Sequence, residues 1–420
     1  MAGAVSVALY RGLTELVSPA IAALLNRRAR VGKEDPARLA ERHGIASAPR
    51  PEGILIWIHA ASVGESLAIL SLVSRLLETP DCSVLVTTGT VTSAELMRQR
   101  LPARAHHQFV PVDLRVSVER FLDHWRPQLA LFVESEIWPN LLLAAQQRKV
   151  PLALINARLT RRSFEMWKRA PGFAQRVFSV FDICLAQDHS IAERLRVLGA
   201  NDVRIAGNLK ADAPPLPVDE TVLATFRQAI GARPVFLAAS THPGEEQIIL
   251  DAAVSGALTI IVPRHPQRGS IIEALAQARG FISMRRRNGA IPSADTAVYI
   301  ADTMGELGLF YRLARLAFLG GSLVPHGGQN PLEAARLGIP VIAGPQTRNF
   351  DDIYRVVFAA QGIGRIESGD DLKQLAAKLL IDSAEAKRIG KLAQAAVEKM
   401  GGALAATLQT AEQLLAHARA

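Results

Sequence analysis

The hydrophobic and polar positions of this chain follow two alternating patterns. Short, continuous apolar runs are typical of strands that are buried on both faces of a sheet. Longer segments, in which apolar residues recur every three or four positions, are typical of helices with one buried face. In the first half, the runs predict strands at Ile54–His59, Val84–Thr88, Leu129–Glu134, Leu152–Asn156 and Ile183–Ala186. The intervening segments predict helices at Ser66–Leu77, Ser93–Arg100, Val116–His124, Leu141–Gln147 and Ile191–Leu198.

The alternation is interrupted between Gly207 and Pro217, where three prolines fall within four residues. A segment of this composition is typical of a linker. A second series then predicts strands at Val235–Ala239, Leu258–Val262, Ala297–Ile300, Leu316–Leu319 and Val341–Ala343. Strands and helices in alternation indicate an α/β fold with parallel sheets.

The two series predict two Rossmann-like domains that face each other across a cleft. We place an N-terminal segment at residues 1–45, the first domain at 46–210 and the second at 211–420, whose last helices can cross back to the first domain. ILIWIHAASVGE in the first half resembles VFLAASTHPGEE in the second, since each has a strand, a small polar loop and a Gly-Glu pair that opens a helix. Ligands of such sheets bind at the carboxyl ends of the strands, so both loops are expected at the cleft.

The stretch from Ala317 to Pro345 carries the strongest signal for a ligand. Two glycine pairs follow a strand, and Asn330 is a good N-cap for a helix with Pro331 and Glu333 in its first turn. Loop glycines let a ligand approach the backbone, and helix N-termini attract phosphate. Glu333 would repel phosphate but can accept hydrogen bonds from ribose hydroxyl groups. The stretch therefore predicts a nucleotide-sugar site; the alternative is an ordinary loop with a carboxylate that stabilises the helix dipole.

Composition narrows the choice of partners. Of the 420 residues, 49% are hydrophobic, which supports a large folded core, and the net charge of +9 suits an acidic partner. Only 5% are aromatic and no stacking motif is visible, so nucleic acid is not an expected partner. Cys82 and Cys184 lie on separate predicted strands and are interpreted as buried thiols. The sequence has no CxxC or HExxH motif and gives no signal for a structural zinc.

The N-terminal segment combines an apolar face with a basic cluster. Arg11 and Glu15 interrupt its apolar run, which is then too short for an ordinary spanning helix. The apolar positions between Val5 and Leu25 fall near one helical face, and four basic residues follow within residues 27–33. This pattern favours a helix that lies on an anionic membrane, and a helix docked on its own domain is the alternative.

Polar residues that follow predicted strands are the candidates for chemistry. Glu65 opens a helix and is a candidate general base, or a carboxylate that only stabilises the helix. Glu134 and Glu136 follow a buried strand, where carboxylates are costly unless they are exposed or paired, and two alone are a weak metal signal. Lys210, beside the linker, is a candidate phosphate contact or a solvated lysine.

Three loops of the second half have the composition of a phosphate or nucleobase site. The residues from Ser240 to Gly244 form a small polar loop that suits phosphate. Arg264 follows a predicted strand and can reach a phosphate or a base. The segment Asp302–Leu307 joins a strand to a helix and can offer backbone groups to a base edge.

With these motifs in place, the chain resembles the 3-deoxy-D-manno-octulosonic acid (Kdo) transferases of lipopolysaccharide synthesis over nearly its whole length. The resemblance rests on HAASVGE, ESEIWPN, INARLT, GNLK, STHPGEE, PRHPQR, DTMGEL and GGSLVPHGGQNPLEAA in that order, with RVGKEDPARLAERHG near the N-terminus. It implies a GT-B fold with an acceptor domain followed by a donor domain. It also implies transfer of Kdo from CMP-Kdo to a lipid A precursor (lipid IVA) at the cytoplasmic face of the cell inner membrane, with inversion and without a metal cofactor.

Position by position, the resemblance implies roles for particular residues. Glu65 matches the proton acceptor, and Glu134 and Lys210 match groups that stabilise the transition state. The positions that match CMP-binding residues are Pro263, Arg264, Met304, Gly305, Glu306, Asn330, Pro331, Leu332 and Glu333. CMP leaves as a phosphate monoester, so cationic groups and helix N-termini must absorb the growing negative charge.

Two other functions fit parts of the pattern. A sugar-nucleotide epimerase can share the two-domain layout, but it needs neither a lipid acceptor nor a membrane-binding N-terminus. A non-catalytic lipid A-binding protein is the other alternative, and the presence of Glu65, Glu134 and Lys210 argues against it.

Overall fold

The chain folds into two compact units. The computed structural model describes residues 2–419, without the side chains of residues 2–5, 288 and 418–419. The first unit comprises Met1–Ala213 and Met400–Ala420, and the second comprises Pro214–Lys399. Each unit contains one parallel sheet with helices packed around it.

The first unit is built on a seven-stranded sheet. Its strands are β1 (Ile54–His59), β2 (Cys82–Thr88), β3 (Ala105–Phe109), β4 (Leu129–Val133), β5 (Leu152–Ala157), β6 (Ile183–Ala186) and β7 (Val203–Ile205). They pair in parallel in the order β3-β2-β1-β4-β5-β6-β7. The strand order reverses between β1 and β4, and the crevice at such a switch point is where α/β sheets bind ligands.

Helices cover both faces of this sheet. They are α1 (Ala2–Leu16), α2 (Ser18–Arg30), α3 (Leu39–Arg42), α4 (Val63–Ala68), α5 (Leu70–Leu76), α6 (Val91–Arg100), α7 (Arg115–Trp125), α8 (Pro139–Gln147), α9 (Arg161–Lys168), α10 (Pro171–Phe178) and α11 (His189–Val197). Successive strand residues alternate between the faces, so Trp57 joins one hydrophobic core and its neighbours Ile56 and Ile58 join the other. This double burial explains why the central strands are continuous apolar runs.

The second unit has the same kind of sheet. Its strands are β8 (Val235–Thr241), β9 (Leu258–Pro263), β10 (Ser283–Arg285), β11 (Val298–Ile300), β12 (Leu316–Leu319), β13 (Val341–Ala343) and β14 (Ile363–Arg365). They are parallel in the order β10-β11-β9-β8-β12-β13-β14, with the switch point between β8 and β12. Its helices are α12 (Glu220–Ile230), α13 (Glu245–Asp251), α14 (Gly269–Gln277), α15 (Leu307–Leu313), α16 (Leu332–Arg336), α17 (Asp351–Ala359), α18 (Gly369–Ile381) and α19 (Ser383–Glu398).

The last helix, α20 (Ala403–Arg419), belongs to the first unit. Ala411 and Leu414 are buried in the same core as the strand residue Ile56. The Asp212 carboxylate caps the start of α20 by accepting the N–H groups of Gly402 and Leu404, both at 2.7 Å. The second unit therefore ends at Lys399 rather than at residue 420. The last helix crosses back to the first domain, which the sequence had left open.

Each strand predicted from the sequence is present, with ends that differ by at most two residues. The four strands that the sequence did not predict are β3, β7, β10 and β14, and these are the outer strands of the two sheets. The helix predicted at Ser66–Leu77 is two helices, α4 and α5, and the first of them begins before Glu65.

The N-terminal helices are docked on one side and exposed on the other. The Tyr10 hydroxyl donates to Asp113 (2.9 Å), and the Tyr10 ring lies 5.5 Å from that of Phe173 in α10. Leu13 and Leu16 remain 52% and 77% exposed. The side chain of Val5, which the sequence placed on the same apolar face, lies outside the described residues.

The N-terminal helices also bear on the prediction of a membrane-associated segment. In the described part of the chain, no single helix is long and apolar enough to cross a membrane. The pair Ser6–Leu16 and Ser18–Arg30, bent by 53°, meets the test only when the two helices are taken together, by length and composition alone.

Candidate active site

Glu65 lies in the first turn of α4, just after the loop that follows β1. The Ser62 side chain caps this helix, because its Oγ accepts the Glu65 N–H (3.3 Å) and its hydroxyl donates to Glu65 Oε1 (2.6 Å). The Ala61 N–H donates to Glu65 Oε2 at 2.8 Å. Loop and helix thus fix both carboxylate oxygens while the side chain remains 8% exposed.

The electrostatic surroundings of Glu65 suit a base. Burial raises the pKa of Glu65 above its ordinary value, the Ser62 hydrogen bond lowers it, and the negative charges of Glu134 and Glu136 raise it again. The Ala61 N–H opposes this shift, but the net direction is upward. A carboxylate with a raised pKa takes up a proton more readily than a solvated one, which is what general base catalysis requires.

Glu134 follows β4 in a left-handed backbone conformation, with φ of +57°. Such a conformation is uncommon outside glycine and recurs at functional sites. Glu134 Oε1 accepts from Lys210 Nζ at 2.8 Å, and Arg158 Nη1 lies 3.9 Å from Oε2. The carboxylate is 8% exposed, so the nearby cations offset the cost of burying its charge. The structure thus brings together Glu134 and Lys210, which are far apart in the sequence.

Asn156 links the Glu134 carboxylate to the backbone next to Lys210. It is 1% exposed, lies at the end of β5 and has a left-handed φ of +49°. Its Nδ2 faces Glu134 Oε1 at 3.5 Å, and its Oδ1 accepts the Leu209 N–H at 3.0 Å. Asn208 Oδ1 accepts the Lys210 N–H at 3.0 Å. Two asparagines therefore hold the backbone that carries Lys210 against the carboxylate.

The Lys210 segment is also anchored to the C-terminal part of the chain. The Asn208 N–H donates to the Met400 carbonyl at 2.7 Å. Gly207 has φ of +89°, and a Cβ at this position would lie 2.4 Å from the same carbonyl oxygen. A larger residue at position 207 would therefore disturb both the backbone and this contact.

Glu136 has a different partner from Glu134. Its Oε2 lies 3.3 Å from His59 Nε2, and the other ring nitrogen of His59 lies 3.0 Å from Thr87 Oγ1. Burial favours a higher pKa for Glu136, but the contacts with His59 and Trp138 outweigh it and lower the pKa. Within residues 2–419, no group of three His, Cys, Asp or Glu side chains is arranged to hold a metal ion.

Glu245 occupies the position in the second unit that matches Glu65, but its surroundings differ. Its carboxylate accepts four backbone N–H groups, those of His242 (3.0 Å), Gly321 (2.7 Å), Ser322 (3.1 Å) and Leu323 (3.1 Å). The side chain is fully buried. Burial raises the pKa of Glu245, while these N–H groups favour the ionised form. The carboxylate ties the loop after β8 to the loop after β12, which is a structural role.

Imidazole and guanidinium groups gather at the carboxyl ends of β8 and β9. The ring of His242 stacks on that of His326, with centroids 4.1 Å apart, and His242 Nε2 lies 3.1 Å from Gln329 Nε2. Burial, followed by the neighbouring histidines and by Arg264 and Arg268, lowers the pKa of His242 to about 4. His242 is therefore neutral near pH 7 and can offer a hydrogen bond without a charge.

Pro263 and Arg264 lie at the end of β9, where the sequence placed them. Pro263 is the last residue of the strand and is buried. The Arg264 N–H donates to the Thr241 carbonyl at 3.0 Å, and its side chain is exposed. The guanidinium makes no ion pair with another described residue, so it is available to an anion.

Glu306 is bound internally, unlike its neighbours Met304 and Gly305. Its carboxylate accepts from Arg286 Nη2 (2.7 Å) and Nε (3.0 Å), and from the Thr303 hydroxyl. Burial alone would raise the pKa of Glu306, but Arg286 and Thr303 lower it. Met304 is 74% exposed and Gly305 is also exposed, with φ of +85°. The backbone of this segment, rather than the Glu306 side chain, is free to meet a ligand.

Asn330 and Glu333 flank the start of α16. Asn330 Oδ1 accepts the Leu332 N–H at 3.1 Å. Pro331 is the residue before the helix, so α16 begins one position later than the sequence predicted. Leu332 is fully buried and Glu333 is half-buried. Burial raises the pKa of Glu333, against the effects of Arg336 and Asn330. The Glu333 carboxylate thus lies beside the Asn330 side chain at the start of α16.

Three residues of these sites are not singled out by the sequence reasoning. Asn156 and His59 are polar residues at the ends of predicted strands, which is the same signal that pointed to Glu134. Arg286 lies in a run of three arginines, and nothing in the sequence distinguishes it from a solvated surface arginine.

The fold defines the class of protein. UDP-GlcNAc 2-epimerase from Neisseria meningitidis superposes with a TM-score of 0.57 and 14% identity, covering 86% of this chain and 100% of that one. MurG from Acinetobacter baumannii superposes with a TM-score of 0.52 and 11% identity, covering 81% of this chain and 94% of that one. At such low identity these likenesses concern the fold alone. The protein has the two Rossmann-like domains of the GT-B class.

Sequence similarity then gives the family. The family model described as 3-deoxy-D-manno-octulosonic-acid transferase (kdotransferase) matches residues 37–213. The 3-deoxy-D-manno-octulosonic acid transferase of Haemophilus influenzae is 36% identical over 384 residues, covering 87% of this chain and 89% of that protein. The chain belongs to the Kdo transferase family of glycosyltransferases, which confirms the resemblance drawn from its motifs.

Proposed function

We propose that this protein transfers Kdo from CMP-Kdo to a lipid A precursor, lipid IVA, with inversion at the anomeric carbon and without a metal ion. Family membership supports sugar transfer over epimerisation or simple binding. The observation that carries the proposal is the carboxylate of Glu65, which is fixed by Ser62 and Ala61 and has a raised pKa. A hydroxyl group attacks poorly while it keeps its proton, so a transferase of this kind needs such a base.

In the proposed reaction, the hydroxyl oxygen of the acceptor forms a bond to the anomeric carbon of Kdo. The bond between that carbon and the phosphate oxygen of CMP breaks, and its electron pair leaves with CMP. The hydroxyl proton passes to Glu65. One glycosidic bond replaces one phosphate ester bond, and attack from the face opposite CMP inverts the anomeric centre.

Lys210 and Glu134 stabilise the transition state in this proposal. Negative charge grows on the leaving phosphate, and a cation held in a fixed position stabilises it without a metal. The 2.8 Å ion pair with Glu134 supports this role, because it keeps the lysine side chain from moving freely in solvent. Asn156 and Asn208 act as positioning residues, since they hold the backbone on either side of the pair.

CMP binds to the second unit in this proposal. The free guanidinium of Arg264, after Pro263, contacts the phosphate, and Glu333 with Asn330 accepts and donates hydrogen bonds at the ribose. Pro331 and Leu332 shape the backbone between them. Met304, Gly305 and Glu306 meet the cytosine with their backbone, because the Glu306 side chain is held by Arg286. His242, which is neutral near pH 7, adds a donor beside Arg264.

Incubation of the full-length protein with CMP-Kdo and lipid IVA, followed by mass spectrometry of the lipid, tests the function. We expect the lipid to gain one or more Kdo residues, and CMP to be released in equal number. Conversion of the nucleotide sugar to an isomer without change in the lipid would contradict the proposal. The variant Glu65→Gln is the control for contaminating activity.

The acceptor also implies a location at the cytoplasmic face of the inner membrane, on an anionic lipid surface. Leu9, Leu13 and Leu16 are all more than half exposed on the N-terminal helices, and Arg27 and Arg30 are exposed at the end of α2. An apolar face beside cations is typical of helices that lie on anionic bilayers.

Co-sedimentation with vesicles that contain phosphatidylglycerol tests this location. Replacing Leu9 and Leu13 together with serine should reduce binding several-fold, because both side chains are exposed and removing them leaves the docked face intact. The matched control is Val197→Ser, an exposed apolar residue elsewhere in the first unit. Equal binding by the variant and the control would refute the membrane role of this face.

A further inference from the structure

A cavity of about 560 Å³ lies in the second unit, and none of the residues proposed to contact CMP lines it. Its lining includes Pro234, Arg315 and Pro340, which immediately precede β8, β12 and β13. The proposed CMP contacts follow the carboxyl ends of strands, so the cavity opens at the opposite edge of the sheet. The buried residues Val235 and Tyr311 form part of its wall, which makes it a recess rather than a flat surface.

The charge of this cavity is its distinguishing feature. Five cationic side chains line it: Arg227, Arg233, Arg312, Arg315 and Lys387. No carboxylate is among the described residues that line it, and none of the five cations forms an ion pair with a described residue. Two carboxylates next to lining residues in the sequence are already engaged, because Asp382 caps α19 and Glu385 pairs with Arg388.

Three of the arginines are held in place by backbone carbonyl groups. Arg233 donates from Nη1 to the Thr296 carbonyl (2.8 Å), Arg312 donates from Nη1 to the Leu216 carbonyl (2.8 Å), and Arg315 donates from Nη1 to the Leu380 carbonyl (2.6 Å). A carbonyl fixes a guanidinium but does not cancel its charge. A guanidinium has five N–H donors, so Arg312 and Arg315 keep donors for a ligand.

The other two cations, Arg227 and Lys387, have no hydrogen bond or ion pair from their side chains to a described residue, and both are exposed. Fixed guanidinium groups beside two exposed cations are suited to an anion, which would relieve their mutual repulsion. Arginine in particular binds phosphate oxygens with two parallel hydrogen bonds.

We infer that this cavity binds a soluble organic phosphate with at least two negative charges. Its volume lies within the range of small-molecule sites, about 300–1,000 Å³, and is larger than one phosphate group requires. Leu313, Leu337 and Ile339 supply apolar lining for the organic part of the ligand. The inference goes beyond the proposed transferase function and does not depend on it, since none of the proposed catalytic or CMP-binding residues lines this cavity.

Titration calorimetry of the full-length protein with inorganic pyrophosphate tests the charge recognition, at 150 mM salt to suppress diffuse surface binding. We expect saturable binding. The double variant Arg227→Glu with Lys387→Glu should weaken it at least tenfold, because both charges are reversed. Neither side chain has a partner to lose, and an unchanged thermal midpoint would show that the variant is folded.

Two control variants separate this cavity from other sources of binding. Lys373→Glu introduces the same kind of charge change on α18, outside the cavity lining. Arg264→Ala removes the free cation of the proposed CMP site. Pyrophosphate binding that survives both controls but fails in the double variant supports the inference. Binding that is lost only in Arg264→Ala, falls equally in Lys373→Glu, or does not saturate in the parent protein overturns it.

Discussion

Glu65 and Glu245 occupy matching places in the two units, yet their carboxylates have opposite surroundings. Each follows a central strand and a small polar loop, and each lies in the first turn of a helix. Glu65 accepts one backbone N–H and one hydroxyl, and other carboxylates lie near it. Glu245 accepts four backbone N–H groups and is fully buried.

A repeated motif therefore holds its carboxylate by a hydroxyl and one N–H in the first copy and ties two loops together in the second. A hydroxyl partner such as Ser62 can reverse its hydrogen bond when the carboxylate takes up a proton. Backbone N–H groups cannot reverse theirs. The O–H group of a protonated Glu245 would therefore face N–H groups that can only donate. Burial raises the pKa of both carboxylates, but protonation disrupts backbone hydrogen bonds at Glu245 that have a reversible counterpart at Glu65.

The largest expected effect is on the rate of transfer by Glu65→Gln. Glutamine keeps the size of the side chain but cannot take up the acceptor proton, so single-turnover transfer to lipid IVA should slow about 10²–10⁴-fold. CMP affinity should be unchanged. The parent rate should rise with pH through the raised pKa of Glu65, because the base must be ionised. A near-parent rate in Glu65→Gln would place the base elsewhere.

The second effect is on the folding of Glu245→Gln. An amide has one acceptor oxygen, so its NH₂ group would face backbone N–H groups that now lack a partner. Each buried N–H left unpaired costs about 1–3 kcal/mol. Urea denaturation should show a lower free energy of unfolding, by several kcal/mol at most. A parent-like unfolding curve would mean that Glu245 is not the tie between the two loops.

A third prediction tests a proposed CMP contact, Glu333, independently of the proposed base, Glu65. Glu333→Ala should weaken CMP binding by about 1–3 kcal/mol, the scale for a lost hydrogen bond to a charged group. Titration calorimetry with CMP measures this change. Glu398→Ala, at an exposed carboxylate of the same unit, is the matched control and should bind CMP normally. Unchanged affinity in folded Glu333→Ala would remove this residue from the CMP site.

The smallest expected effect is a gain in the stability of Glu65→Gln, whereas Glu245→Gln should lose stability. Because the pKa of Glu65 is raised in the folded protein, protonated Glu65 favours folding at low pH, and this stabilisation is lost as pH rises through the folded pKa. Glutamine has no charge to bury, and its amide can still pair with Ala61 and Ser62. Glu65→Gln should therefore be more stable than the parent at pH 8 and similar at pH 4. A gain of ~1 kcal/mol would raise Tm by about 2–4 °C. A lower Tm at pH 8 would show that Glu65 also has a structural role.

The sequence predicted the inner strands but not the outer ones, for a physical reason. Inner strands are covered on both faces and must be apolar throughout, as LALFV in β4 is. The outer strands AHHQF, VRI, SMR and IGR are short and partly exposed, so they carry no continuous apolar run. Their strand character comes from pairing with the adjacent strand of the sheet, and no local pattern within these short segments encodes that pairing.

The residues of the candidate site also include some that the sequence predicts and some that it does not. Glu65 and Glu134 are predictable because they follow β1 and β4, whose carboxyl ends are neighbours in the first sheet, and Arg264 is predictable because it follows β9 of the second sheet. The pairing of Lys210 with Glu134 depends on the turn that Asn156 and Asn208 hold, and no local pattern encodes it. The ion pair between Glu306 and Arg286 cannot be predicted from the sequence either, because a run of three arginines does not indicate which of them is solvated and which is paired.

The return of α20 to the first unit sets an order for synthesis on the ribosome. The first part of the amino-terminal domain is translated before the second unit, yet one of its core helices and the Met400 carbonyl that anchors the Lys210 turn are made after it. Part of one face of its sheet therefore stays uncovered until the whole of the intervening domain has emerged, while α4, α5 and α6 already pack on that face. Because the carbonyl that holds the Lys210 turn belongs to this later segment, the turn lacks that hydrogen bond until the segment has been made.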